Sequence, residues 1–114
     1  MVTAENRNLI GARELALAKP TAYLVNTARG ALIDEAALAA ALKAGKIAGA
    51  ALDVFEVEPL PADSPLRRAE NVWLAPHNAN SSVEAATHVH ESTVKNLLDA
   101  LADFRASGNP VVGA

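Results

Sequence analysis

The chain has 114 residues, 51% of them hydrophobic and 20% charged, with a net charge of −3. That is the size of one small domain, and without a Lys/Arg run or aromatic platforms it offers no footprint for nucleic acid. Cysteine is absent, which removes disulfides and thiolate metal sites; with no apolar segment near the roughly 18 residues of a membrane span and no signal peptide after Met1, a cytoplasmic location is expected.

In chain order, residues 3–11 are polar as far as Leu9 and lead into a short helix, Ala12 to Lys19, that Pro20 stops. Thr21 to Asn26 has the β-branched and aromatic content of a strand and ends in the polar turn Thr27-Ala28-Arg29-Gly30. Asp34 suits a helix N-cap, and Glu35 in the first turn suits the positive end of the helix dipole. Leu38, Ala41 and Leu42 then recur at helical spacing until Gly45, a C′ residue. Ile47 to Val54 is a nearly unbroken run of small or apolar residues. It fits a strand covered on both faces, as in a parallel sheet, better than an alternating surface strand.

Glu56 to Glu70 carries Pro59, Pro61 and Pro65 and reads as an irregular loop with one helical turn near Ser64 to Arg68. Asn71 to Ala75 is a third short strand, followed by the polar loop Pro76 to Asn80. Ser81 and Glu84 stand at capping-box spacing before a long helix running to about Ala106, roughly 36 Å at the α-helical rise. Val94, Leu97, Leu98, Leu101 and Phe104 form one apolar stripe on it. The helix is long for so small a sheet, so part of its stripe is expected to meet something outside this chain, and the chain alone is expected to self-associate through it.

The order of elements is that of half of a doubly wound α/β domain, with flanking helices and a long C-terminal helix. In parallel sheets chemistry gathers in the crevice beyond the carboxyl ends of the strands. Three loops would deliver Arg29, then Asp53 with Glu58, then His77 to that edge. A cation, a carboxylate and an imidazole form a set for acid/base chemistry on a small anionic substrate. Arg grips a carboxylate with two parallel hydrogen bonds, while His moves a proton near neutral pH beside a Glu that orients it. Taken singly, Arg29 also reads as a strand-end cation paired with a surface carboxylate, and Glu58 as a solvated loop acid. Asp53 within an apolar strand needs a partner, and loop backbone alone is a candidate for it. His88 and His90 are two apart on a helix, point to different faces and read as surface residues rather than as a metal pair.

From about residue 3 to residue 101 the chain resembles the D-isomer-specific 2-hydroxyacid dehydrogenases. The segments NTARG, AGAALDVFEVEP and APH carry the resemblance, supported by SPL, NVWLAPH and the SSVEAA helix start. The resemblance implies a Rossmann-like fold, a nicotinamide cofactor, NAD with NADP as the alternative, and a small 2-hydroxy or 2-keto acid reacting at C2. It implies that Arg29 binds the substrate carboxylate, that His77 gives and takes the proton, and that Glu58 pairs with His77. Cofactor contacts are implied for Thr27, Ala28, Arg29, Asp53, His77 and Asn80, with Asp53 near the nicotinamide carboxamide. No metal is implied, and there is room for a homodimer in the complete protein.

Asn78 and Asn80 depart from the apolar and small residues more frequent after the family's histidine, and stand as in some phosphoglycerate-dehydrogenase-like and hydroxypyruvate-reductase-like members. No G-x-G-x-x-G is present, nor the acidic residue for the adenosine ribose. The chain, residues 1–114, therefore reads as a partial NAD(P)-binding domain lacking its glycine-rich first half and the substrate domain, and is expected to bind NADH weakly by itself. The alternatives are a non-catalytic nucleotide-sensing or dimerising module and an inactive gene remnant.

Overall fold

The computed structural model describes residues 2–106. They form two compact units, one ending at Ala79 and one beginning at Asn80. In the first unit the elements run α1 (Ala12–Leu17), β1 (Tyr23–Asn26), a 3-10 turn (Gly30–Leu32), α2 (Glu35–Lys43), β2 (Gly49–Leu52), a second 3-10 turn (Pro65–Arg68) and β3 (Val72–Leu74). The strands lie in the order β1-β2-β3, and both pairings are parallel, as the sequence led us to expect.

Each strand is shorter than its apolar run, because pairing rather than composition sets its length. Tyr23 pairs with Gly49 and Asn26 with Leu52, while β3 reaches only from Val72, opposite Ala50, to Leu74, opposite Leu52. α1 ends at Leu17 and not at Lys19: Ala18 is already extended, at φ −69° and ψ 152°, and Pro20 disfavours the helical region for Lys19, the residue before it. The limits of α2 fall where its caps place them. Asp34 accepts the Ala37 N–H at 2.9 Å, and Gly45, at φ +65°, lets its own N–H reach Leu42 O while Lys46 N–H reaches Ala41 O. The turn near Ser64 to Arg68 is also present, opened by Ser64, whose hydroxyl accepts the Leu66 N–H.

The core lies on one face of the sheet. Leu38 and Leu42 of α2 pack there with Ala50, Leu52, Ile33, Ile47, Leu60 and Leu66, and Leu15 of α1 closes the cluster. β2 itself is buried or half-buried along its length, as its apolar run led us to expect, but among the described residues the opposite face lies open on the strands beside it. In-register pairing puts Tyr23, Val25, Ala51 and Trp73 on that side, and Tyr23, Val25 and Trp73 are 74%, 67% and 82% exposed. The apolar run concealed this alternation, since β2 presents only Gly49 and Ala51 to that face, neither of which reports on burial by its chemistry.

One contact fixes the edge where the site forms. A Cβ on Gly30 would lie 1.8 Å from the carbonyl carbon of Phe55, so only glycine lets the turn after β1 press against the backbone after β2. Gly30→Ala is expected to cost roughly 3 kcal/mol or more, at or above the upper end for overpacking, because backbone rather than a side chain must move. Chemical denaturation followed by circular dichroism measures it.

In the second unit α3 spans Val83–Ala106 and buries none of its residues. Its cap is Ser82 rather than Ser81: the Ser82 hydroxyl accepts the Ala85 N–H at 3.1 Å and its carbonyl accepts the Ala86 N–H. Glu84 then stands one place short of the reciprocal position, and the expected capping box does not form. His88 and His90 are exposed, and the described residues hold no group of His, Cys, Asp or Glu fit for a metal ion. No described helix is long and apolar enough to cross a membrane.

Candidate active site at the carboxyl edge of the sheet

The three parallel strands end at Asn26, Leu52 and Leu74, and the chain leaves each of them at the same edge. A polar side chain shapes the turn after β1. Asn26, buried, accepts the Ala28 N–H at 3.1 Å through Oδ1 and donates to the Arg29 carbonyl at 3.0 Å through Nδ2. Its amide thus holds the backbone of Thr27, Ala28 and Arg29 in place. The Arg29 side chain is exposed, donates only to the neighbouring Ala28 carbonyl, and has no carboxylate partner among the described residues. The reading of Arg29 as half of a surface ion pair does not hold, and its guanidinium is available to an anion.

Beyond β2 the chain delivers Asp53 and Glu58. The Glu58 carboxylate accepts the Phe55 N–H at 2.9 Å through Oε1 and meets His77 Nδ1 at 2.8 Å through Oε2. With Glu58 ionised, the His77 Nδ1–H is the donor, and Nε2 is the nitrogen left to exchange a proton with another molecule. The hydrogen bond from His77, and after it the one from Phe55 N–H, hold the Glu58 carboxyl below its ordinary value. Glu56 has other partners: it pairs with Arg7, and its N–H is held by Glu35 at 2.6 Å. The peptide bond between Glu58 and Pro59 is cis.

Asp53 is 5% exposed, and both of its oxygens are engaged by loop backbone. Oδ1 accepts the Asn78 N–H at 2.8 Å and Oδ2 accepts the Ala79 N–H at 2.9 Å. Burial pushes its carboxyl up, but the two N–H groups and the nearby His77 outweigh this and leave it lowered. The structure therefore brings Glu58, His77 and the Asp53 grip into one connected arrangement. Thr27, Ala28 and Arg29 stand exposed on the turn after β1, while Asn80 is the first residue of the second unit. An open cavity of about 540 Å³ adjoins the pair, lined among others by Phe55, Glu58, Leu60, Arg67, Pro76 and His77. A larger groove, about 770 Å³ between α2 and the Pro65 to Asn71 segment, includes none of Arg29, Glu58 and His77.

The lowered Glu58 carboxyl gives the pair a pH signature. Its stabilisation is fully present above 4.5, the ordinary value, and is lost as pH falls through the lower folded one. Glu58→Gln lacks this contribution, so the stability gap between wild type and variant should be widest above 4.5 and close below it. Denaturant midpoints of both proteins across that interval give the result; a gap that does not change with pH would contradict the pairing.

Comparison with known proteins shows the family of the chain. Residues 1–79 match the family described as D-isomer specific 2-hydroxyacid dehydrogenase, NAD binding domain. The chain is 51% identical over 100 residues to a glyoxylate reductase of Thermofilum pendens, covering 88% of this chain and 30% of that protein. It is 45% identical over 100 residues to glyoxylate/hydroxypyruvate reductase B of Citrobacter koseri, covering 88% and 31%. Among solved structures, a D-isomer specific 2-hydroxyacid dehydrogenase of Xanthobacter autotrophicus Py2 in complex with NADPH and MES superposes with a TM-score of 0.71 at 43% identity, over 97% of this chain and 43% of that one. The chain thus spans less than a third of the length of these two reductases. With residues 1–79 matching that model and a parallel sheet beneath them, this chain belongs to the D-isomer specific 2-hydroxyacid dehydrogenase family, within its NAD-binding domain.

Proposed function

We propose that this chain supplies the proton-transfer and carboxylate-binding residues of an NAD(P)-dependent oxidoreductase acting on a small 2-hydroxy or 2-keto acid. The observation that carries the proposal is the 2.8 Å contact between Glu58 Oε2 and His77 Nδ1, which fixes the ring and leaves Nε2 for the substrate oxygen. A structural histidine would not need this exposed, carboxylate-oriented setting at a strand end.

The residues at the edge suit a nicotinamide cofactor. The turn at Thr27, Ala28 and Arg29 is exposed, and each Asp53 oxygen keeps a second lone pair after accepting its loop N–H. Thr27, Ala28, Arg29, Asp53 and His77 are the residues that would hold it. Bound there, the cofactor supplies or accepts the hydride at C2 of the substrate. Arg29 grips the substrate carboxylate and so orients the C2 carbonyl. In the reducing direction His77 donates its Nε2 proton to the carbonyl oxygen, while Glu58, bonded at Nδ1, holds the ring in place. In the oxidising direction the neutral ring takes the hydroxyl proton. Homodimerisation of the complete protein and residence in the cytoplasm belong to the same proposal.

The Glu58 to His77 contact also weighs against a purely sensing module, which has no use for an oriented proton donor. The test is a chimera in which this chain replaces the matched 100 residues of the Thermofilum pendens glyoxylate reductase. Oxidation of NADH or NADPH by the folded chimera with glyoxylate or another 2-keto acid is the expected result. A chimera that folds and binds the cofactor but turns over no 2-keto acid would overturn the proposal.

A further inference from the structure

We propose that Asp53 is a positioning residue for His77, acting through the backbone of Asn78 and Ala79. His77 has φ +57°, in the left-handed region that residues other than glycine enter only at a cost in strain. Something must hold it there, and the ring contact with Glu58 is only one side of the hold. The two residues after it turn their N–H groups onto the two oxygens of Asp53, at 2.8 and 2.9 Å. Asp53 is itself anchored at the end of β2, where its N–H bonds the Asn26 carbonyl at 2.9 Å. A buried carboxylate just past the central strand therefore fixes the loop immediately after His77, and through it the direction in which the imidazole leaves the backbone. A carboxylate suits this role because it accepts at both oxygens. The amide of an Asn would turn a donor toward one of the two N–H groups and lose that bond.

The inference deepens the proton-transfer role proposed for His77, but it is read from ring and backbone geometry without turnover, so the two stand or fall separately. The experiment uses the full 114-residue chain, isotope-labelled for NMR. In the wild type the amide hydrogens of Asn78 and Ala79 should exchange slowly although both residues are exposed. Exchange as fast as in an unstructured chain would overturn the proposal without any variant. In Asp53→Asn, exchange at one of these two positions, the one left facing the amide NH2, should rise by about 10-fold or more, as expected for losing a hydrogen bond to a charged group. The His77 ring nitrogen signals should move toward those of Glu58→Gln, while the Ala50 and Leu52 amides stay protected.

A second variant guards against misfolding of Asp53→Asn. An ester in place of the peptide bond between residues 78 and 79 removes the Ala79 N–H and leaves Asp53 intact, and it should displace the ring signals in the same direction. If a loop amide is released in either variant while the His77 ring signals keep their wild-type positions, Asp53 holds the loop alone and the positioning role is refuted.

Discussion

Replacing His77 by Asn in the active chimera is expected to lower kcat/KM for 2-keto acid reduction by about 10²-fold or more, the usual scale for losing a general acid/base. Asn can still donate a hydrogen bond toward Glu58 Oε2, so the loop geometry around the 2.8 Å contact has a partner and the fold is not the casualty. What disappears is a group that can carry a proton to the carbonyl oxygen as hydride arrives. Residual turnover must draw its proton from water, and the limb of the pH profile that belongs to the imidazole should vanish in both reaction directions. The Michaelis constant for the cofactor should change little. A loss of less than tenfold, or a pH profile that keeps its limbs, would remove His77 from the proton-transfer step.

The second large effect concerns Arg29. Its guanidinium touches only the adjacent Ala28 carbonyl, so Arg29→Met removes a charge from an exposed side chain and should leave stability within about 0.5 kcal/mol of wild type. Catalysis should suffer far more. Two parallel N–H groups on a substrate carboxylate are together worth about 3 kcal/mol at the lower end of the range for charged hydrogen bonds, or about 10²-fold in kcat/KM. Arg29→Lys should recover part of this, since an ammonium keeps the charge but not the fork. The decisive comparison, at saturating cofactor, is a ketone of similar size without a carboxylate: wild type and Arg29→Met should handle it about equally. If the penalty is the same for both substrates, Arg29 does not bind the carboxylate.

Caps and punctuation in the sequence located α2 to the residue. Asp34 and Gly45 are signals with a single structural meaning, and both act as expected. The strands were legible as elements but not in length, because β3 is limited by how far it runs beside β2 and no local property of Asn71 or Ala75 reports that. The edge that gathers Arg29, Glu58 and His77 followed from parallel pairing, and the contact between Glu58 and His77 has the form the residues suggested. Asn26 escaped notice. A polar residue closing an apolar strand was the available signal, but its hold on Ala28 and Arg29 exists only once the turn has folded back over it. Asp53 was legible as a buried acid in need of a partner. That both its oxygens would be taken by the loop after a different strand depends on the sheet order, which local spacing does not encode.

Trp73, the one tryptophan of the chain, stands on the open face of the sheet and is 82% exposed. It is therefore an optical probe of an unusual kind. Its indole is already in water in the folded state, so unfolding by denaturant should shift its emission very little, and fluorescence is a poor monitor of stability for this chain. The same exposure makes the probe sensitive to the opposite event. Any segment that comes to cover Tyr23, Val25 and Trp73 would take the indole out of water and move its emission to shorter wavelength, reporting in one spectrum whether that face has found a cover.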